Sequence, residues 1–78
     1  MEFIELTGRT LRQVIQGQQE LLKRLDELGV GEDSILRVNR QGDIELRRAD
    51  RWDVIGGLLG EFETRLCQLT GLDWLRPI

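Results

Sequence analysis

Four residues, Asn39-Arg40-Gln41-Gly42, constrain this chain more than any other feature. They suit a type I turn followed by glycine in the left-handed bulge position, and apolar residues alternate with polar ones on both sides. The turn predicts a β-hairpin over residues 35–47. Val38 then faces Ile44, Arg37 faces Glu45 and Leu36 faces Leu46, with Asn39 opposite Asp43 and Ile35 opposite Arg47. Leu36, Val38, Ile44 and Leu46 share one side of this ribbon. Arg37, Asn39, Asp43, Glu45 and Arg47 share the other. A slip of one residue would exchange the two sets, so side-chain chemistry and turn geometry fix the same register. One face is expected to be buried and one wet.

The buried face needs something to lie on it. Leu11, Val14, Ile15, Leu21, Leu22, Leu25 and Leu28 recur at helical spacing and predict a helix over 9–28. Thr10-Leu11-Arg12-Gln13 fits a capping box, with Thr7 as a competing start. Gly29 suits the left-handed cap residue, which would fold Val30 back onto Leu25. Gln18 falls where the seam needs an apolar side chain. Either the seam is wet there, or Gln18 pairs with its own copy across a two-fold axis. Arg9 and Arg12 lie early in this helix and Asp26 and Glu27 late, against the helix dipole, so packing must hold it.

A second helix is expected over 51–70, capped by Asp50. Trp52, Ile55, Leu59, Phe62, Leu66 and Leu69 form its apolar stripe. Gly57, Gly60, Thr64, Cys67 and Gly71 form a row of small residues on the far side. Each interior glycine costs a helix about 0.5–1 kcal/mol relative to alanine. That cost reads as a sign of close backbone approach. The small row is therefore the expected interface of a homodimer, with the same patch meeting itself across a two-fold axis. The competing reading packs the row against the first helix within one subunit.

Residues 1–7 form an N-terminal segment. Within it, 2–6 fit either a short strand with Ile4 and Leu6 on one face, or an end whose apolar residues lie on the helices. The apolar tail 72–78 is expected to pack back across the domain rather than dock on another protein. The fold class is α+β: one small domain, helix, β-hairpin, helix, with the hairpin on both helices. At 78 residues the core is small and the stability marginal. With a single cysteine, disulfides cannot help within the chain, which is a second reason to expect a dimer.

The same composition narrows function. The chain has no histidine, so the usual general base near neutral pH is missing, Cys67 has no imidazole to activate it, and no metal ligand set is credible. Gly56-Gly57-Leu58-Leu59-Gly60 lacks the Lys-Ser/Thr of a phosphate loop. No enzyme, cofactor or metal is expected. The opening residues carry acids where a signal peptide needs a basic region, and no apolar run approaches 18 residues, so a cytoplasmic protein without membrane contact is expected.

The net charge of −3 opposes non-specific nucleic-acid binding. Its distribution is uneven. Residues 35–51 carry five arginines (Arg37, Arg40, Arg47, Arg48, Arg51) against three acids, whereas both flanking segments are acidic. The expected function is a non-enzymatic protein-interaction or regulatory module. It would present Arg37, Arg40, Glu45, Arg47, Arg48 and Arg51 on the hairpin to a protein partner. The alternative is a nucleic-acid-binding regulator using the same arginines on phosphates. Asp43 and Glu45 interrupt that face, and the hairpin itself supplies no aromatic for base stacking.

Overall fold

The structure, a computed structural model, describes residues 2–58 and 60–74. The hairpin stands as its sequence dictates. β2 (Ile35–Asn39) and β3 (Asp43–Arg47) pair antiparallel with Leu36 opposite Leu46, Arg37 opposite Glu45 and Val38 opposite Ile44. The amide of Gly42 donates to the carbonyl of Asn39 at 3.0 Å, and Gly42 has φ +94°. The Asn39 side chain closes the turn twice. Its Oδ1 accepts from the Asp43 amide at 2.9 Å, and its amide nitrogen donates to the Asp43 carboxylate at 3.0 Å.

Two further strands flank the hairpin. The N-terminal residues are a strand, β1 (Phe3–Thr7), paired in full antiparallel register with β2 so that Ile4 meets Val38 and Leu6 meets Leu36. On the other side lies β4 (Trp52–Gly57), antiparallel to β3, with one irregular step at Ile44/Glu45. The sheet order is β1-β2-β3-β4.

β4 overturns the helix expected over 51–70. Trp52, Val54 and Ile55 are aromatic or β-branched, and Gly56-Gly57 follows. All five favour a strand or penalise a helix. The glycine cost was therefore a sign that no helix forms there, not that one packs closely. β3 would otherwise present an unpaired edge, and β4 satisfies it. Asp50 caps nothing and sits in the β3–β4 loop. The helix begins later, as α3 (Phe62–Thr70), and ends at Gly71, a left-handed cap with φ +73°.

The helix expected over 9–28 is also divided, into α1 (Gly8–Val14) and α2 (Gln19–Glu27). Gly17 takes φ +94° between them, and the Gln18 amide donates to the Ile15 carbonyl. Gln18 stands exposed at the break, just before α2. It needs no partner from a second copy, because the seam it interrupted does not exist as one helix. Thr7, not Thr10, caps α1 and accepts from the Thr10 amide at 3.3 Å. Arg12 of α1 pairs with Asp26 of α2 at 2.9 Å, so the charges that opposed one long dipole neutralise each other across two short helices. The end of α2 forms as expected: Gly29 at φ +76°, and the Val30 amide donating to the Leu25 carbonyl at 2.9 Å with both side chains buried.

All three helices contribute to one layer against one face of the sheet. Ile4, Leu6, Leu36, Val38, Ile44 and Leu46 point into that layer and are buried with Leu11, Val14 and Ile15 of α1, Leu25 of α2 and Leu66 of α3. The tail packs back as far as it is described. Leu72 lies against the core, and the buried Trp74 donates its indole N–H to the Val38 carbonyl at 3.0 Å and meets Phe62 edge to face. Leu59 of the expected apolar stripe and tail residues 75–78 lie outside the described residues. The result is a two-layer α+β domain, a disc of 34 × 31 × 19 Å.

Candidate interaction surface

The helices lie on one side, and among the described residues nothing covers the other side of the sheet. Strand alternation assigns its residues: Phe3, Glu5 and Thr7 from β1; Ile35, Arg37 and Asn39 from β2; Asp43, Glu45 and Arg47 from β3; Trp52 and Val54 from β4. At the centre, one residue from each strand meets. The Arg37 guanidinium carbon lies 3.8 Å from the Phe3 ring centroid and 4.3 Å from that of Trp52, and Arg37 donates to the Glu45 carboxylate at 2.9 Å. The cation is thus held by two aromatic faces and one carboxylate. Arg37 keeps 24% of its side chain exposed and Glu45 only 13%. Arg37 Nε is enclosed with no hydrogen-bond partner.

This cluster changes the roles expected of the hairpin charges. Arg37 and Glu45 do not project as free contacts. They face each other and tie the four strands together. Arg48 of the β3–β4 connection pairs with Asp53 of β4 at 3.0 Å, and Arg51 pairs with Asp50 within the connection at 3.3 Å. Arg47 is exposed on the outer face and Arg40 is exposed at the hairpin turn. The arginines therefore do not line one phosphate-tracking row.

Removing one partner tests the cluster. Glu45→Ala leaves a largely enclosed cation with nothing to accept its N–H, at an expected cost of about 2 kcal/mol. Arg37→Met removes the charge while keeping the aliphatic contacts, and is expected to cost less. Urea denaturation of both variants checks the order, and equal losses would refute it.

The apolar part of the face was not legible from the hairpin alone. Val54 is 64% exposed and Ile35 37%, and Phe3 and Trp52 are half-buried beside them. A signal was present in the alternation Trp52-Asp53-Val54, hidden by the helical reading of the same residues.

The small row expected at the dimer interface is dispersed. Gly57 ends β4, Gly60 lies before α3 with φ +76°, Thr64 and Cys67 are on α3, and Gly71 is its cap. With the long helix gone, Gly57 and Gly60 no longer share a helical face with Thr64, Cys67 and Gly71, which α3 and its cap still set three and four positions apart. Cys67 is half-buried. Burial pushes its thiol pKa above the ordinary value, and the carboxylates of Asp73 and Glu63 push it further. The folded state therefore holds the thiol proton more tightly. Its contribution to stability is full below the ordinary thiol pKa and is lost as pH rises through the raised one. Thiolate absorbance at 240 nm is expected to titrate later in the folded protein than in denaturant, and coincident curves would refute this.

An open groove of about 1010 Å³ lies between α2 and the end of β4. Its charged lining is Glu20, Lys23, Arg24 and Glu27, and it holds no hydroxyl or thiol nucleophile. Arg24 bridges one side of it by donating to the Ile55 carbonyl at 3.1 Å. Among the described residues no cluster of His, Cys, Asp and Glu has the arrangement to hold a metal ion, and no helix is long and apolar enough to cross a membrane. Comparison with protein-family models, curated proteins and solved structures returns no match to this chain.

Proposed function

We propose that the chain is a small non-enzymatic protein-interaction or regulatory module that docks a protein on the outer face of its sheet. One observation carries this reading. Four apolar side chains, Phe3, Ile35, Trp52 and Val54, gather on the sheet face that no helix covers among the described residues. Their setting is that of an interface: aromatic and aliphatic groups among neutralised charge, with Glu5, Thr7, Asp43 and Arg47 around them. Membrane-surface binding has no comparable support.

Nucleic-acid binding is the second reading. Phe3 and Trp52 supply the aromatic rings that the hairpin lacks. Against it, the Arg37 guanidinium already lies over both rings, and the face carries Glu5, Asp43 and Glu45 beside Arg37 and Arg47. Affinity capture from the native host compares the wild type with Val54→Lys. A protein lost only with the variant supports protein docking. A salt-dependent gel shift on mixed DNA and RNA that Arg47→Glu abolishes would favour nucleic acid instead.

A further inference from the structure

The helix layer is held unevenly. Gly8, Leu11 and Val14 of α1 are buried, and α1 packs directly on α3. Of the nine residues of α2 only Leu25 is buried, with Leu21 and Leu22 half-buried beside it. A helix of about two and a half turns does not sustain itself in water, so contacts with the rest of the fold must hold it. We infer that α2 is a hinged lid, latched by Arg24, that swings off the end of β4 while the sheet, α1 and α3 stay folded. The motion lies in the layer opposite the docking face and does not depend on it.

The two ends of α2 provide the hinges. Gly17 precedes it at φ +94° and Gly29 follows it at φ +76°. At both, the place a Cβ would take has nothing within 4 Å, so the backbone can turn there without collision. The first end is the free one. Residues 16–20 are all exposed, and Gln18 caps α2 with no side-chain hydrogen bond. The far end is the pivot. Val30, just after Gly29, is buried, and its carbonyl accepts from Arg12 at 2.6 Å.

The seat under α2 is the second argument. Arg24 joins the helix to the sheet by donating from Nε to the Ile55 carbonyl at 3.1 Å. Next to it the strand is bare backbone. Gly56 and Gly57 have no side chains to interlock with α2, and Leu21 Cδ1 stops 3.8 Å from where a Cβ of Gly56 would lie. The open groove runs along this same contact, from Gly17 to Glu27 on the helix and Gly56 and Gly57 on the strand. The remaining tie, Arg12 to Asp26, contributes little, because Asp26 is 69% exposed. One buried leucine, one polar latch and a wet groove put α2 at the low end of local stability in this fold. Opening uncovers Leu21, Leu22 and Leu25 together with Ile55, and turns the groove into an apolar cleft that reaches the core.

Native-state hydrogen exchange by NMR, in rising low concentrations of urea, tests the lid on the wild type, Ile4→Val and Arg24→Met. In the wild type the amides of Leu22 to Leu28 are expected to open at least tenfold more often than those of the β2–β3 hairpin, with a smaller dependence on urea. Ile4 is fully buried in β1, at the opposite edge of the sheet from β4. If α2 opens alone, Ile4 keeps its contacts in the open state. Ile4→Val is then expected to speed hairpin exchange about fivefold and leave α2 exchange unchanged. Arg24→Met removes a bond that is broken in the open state, and is expected to raise α2 opening about tenfold. Exchange of α2 and hairpin through one common opening, accelerated equally by Ile4→Val, overturns the lid. Unchanged α2 exchange in Arg24→Met overturns the latch. Should Arg24→Met fail to fold, the wild type and Ile4→Val still decide whether α2 opens by itself.

Discussion

Gly42→Ala is expected to lower the folding free energy by about 3–4 kcal/mol, the sum of left-handed strain and overpacking. Gly42 holds φ +94°, where a side chain costs about 1–2 kcal/mol. A Cβ there would also lie 2.9 Å from the Leu58 carbonyl oxygen and 2.9 Å from Cζ of Phe62. The oxygen is backbone and is held in place, because the Leu58 amide donates to the Gly42 carbonyl at 2.8 Å. Gly60→Ala separates the two causes. Gly60 has φ +76° but nothing within 4 Å of its would-be Cβ, so only the strain of about 1–2 kcal/mol is expected. Urea midpoints with an unchanged slope measure both variants. Equal losses would show that the close approach at Gly42 is relieved by a small movement.

Gly8→Ala is the second large effect, and its cause is different. The Cβ would fall 2.0 Å from the Gly31 carbonyl oxygen and 3.3 Å from Val30 Cγ1. The approach is this close because the turn at 31–34 supplies the partners for the first turn of α1. The Gly8 amide donates to the Ser34 carbonyl at 2.9 Å, and the Arg9 amide to the Glu32 carbonyl at 3.1 Å. Ser34 secures the turn by accepting from the Gly31 amide at 2.9 Å. A methyl group at Gly8 must push the whole turn away and break both bonds. The expected loss is about 3 kcal/mol or more, after a helix-propensity gain of up to about 1 kcal/mol is subtracted. In a domain of this size that is a large share of the total. Calorimetry and amide exchange at Gly8 and Arg9 check it. A variant as stable as the wild type would mean that the turn at 31–34 is free to retreat.

These two glycines explain why a local reading of this sequence misplaces its close approaches. Gly57, Gly60 and Gly71 attract notice because they recur at helical spacing with Thr64 and Cys67. The contacts that require glycine are instead at Gly8 and Gly42, and their partners, Gly31 and Leu58, lie 23 and 16 positions away in the chain. Spacing along one element cannot reveal a contact made by a distant one.

The interaction face divides in the same way. Its charged half could be read from the hairpin register, since Arg37 and Glu45 are eight residues apart and joined by one turn. Of its apolar half only Ile35, opposite Arg47, could be read in the same way. Phe3 and Trp52 reach Arg37 only after β1 and β4 have joined opposite edges of the hairpin. The cation that looked available to a partner is stacked between strands, and the surface a partner would meet is more apolar than the hairpin suggests.

By itself, then, the sequence determined what short-range chemistry enforces: the turn at 39–42, the register of the hairpin and the choice of its buried face. It also determined the Gly29–Val30 helix end, because each of these is settled by residues within a few positions of one another. The tertiary structure alone decided that 52–57 is a strand, that 8–27 is two helices and that one sheet face stays open. In 52–57 the periods of helix and strand were both readable. The unpaired edge of β3 resolved them, since an extended segment beside it satisfies backbone hydrogen bonds that a helix there would have left to water.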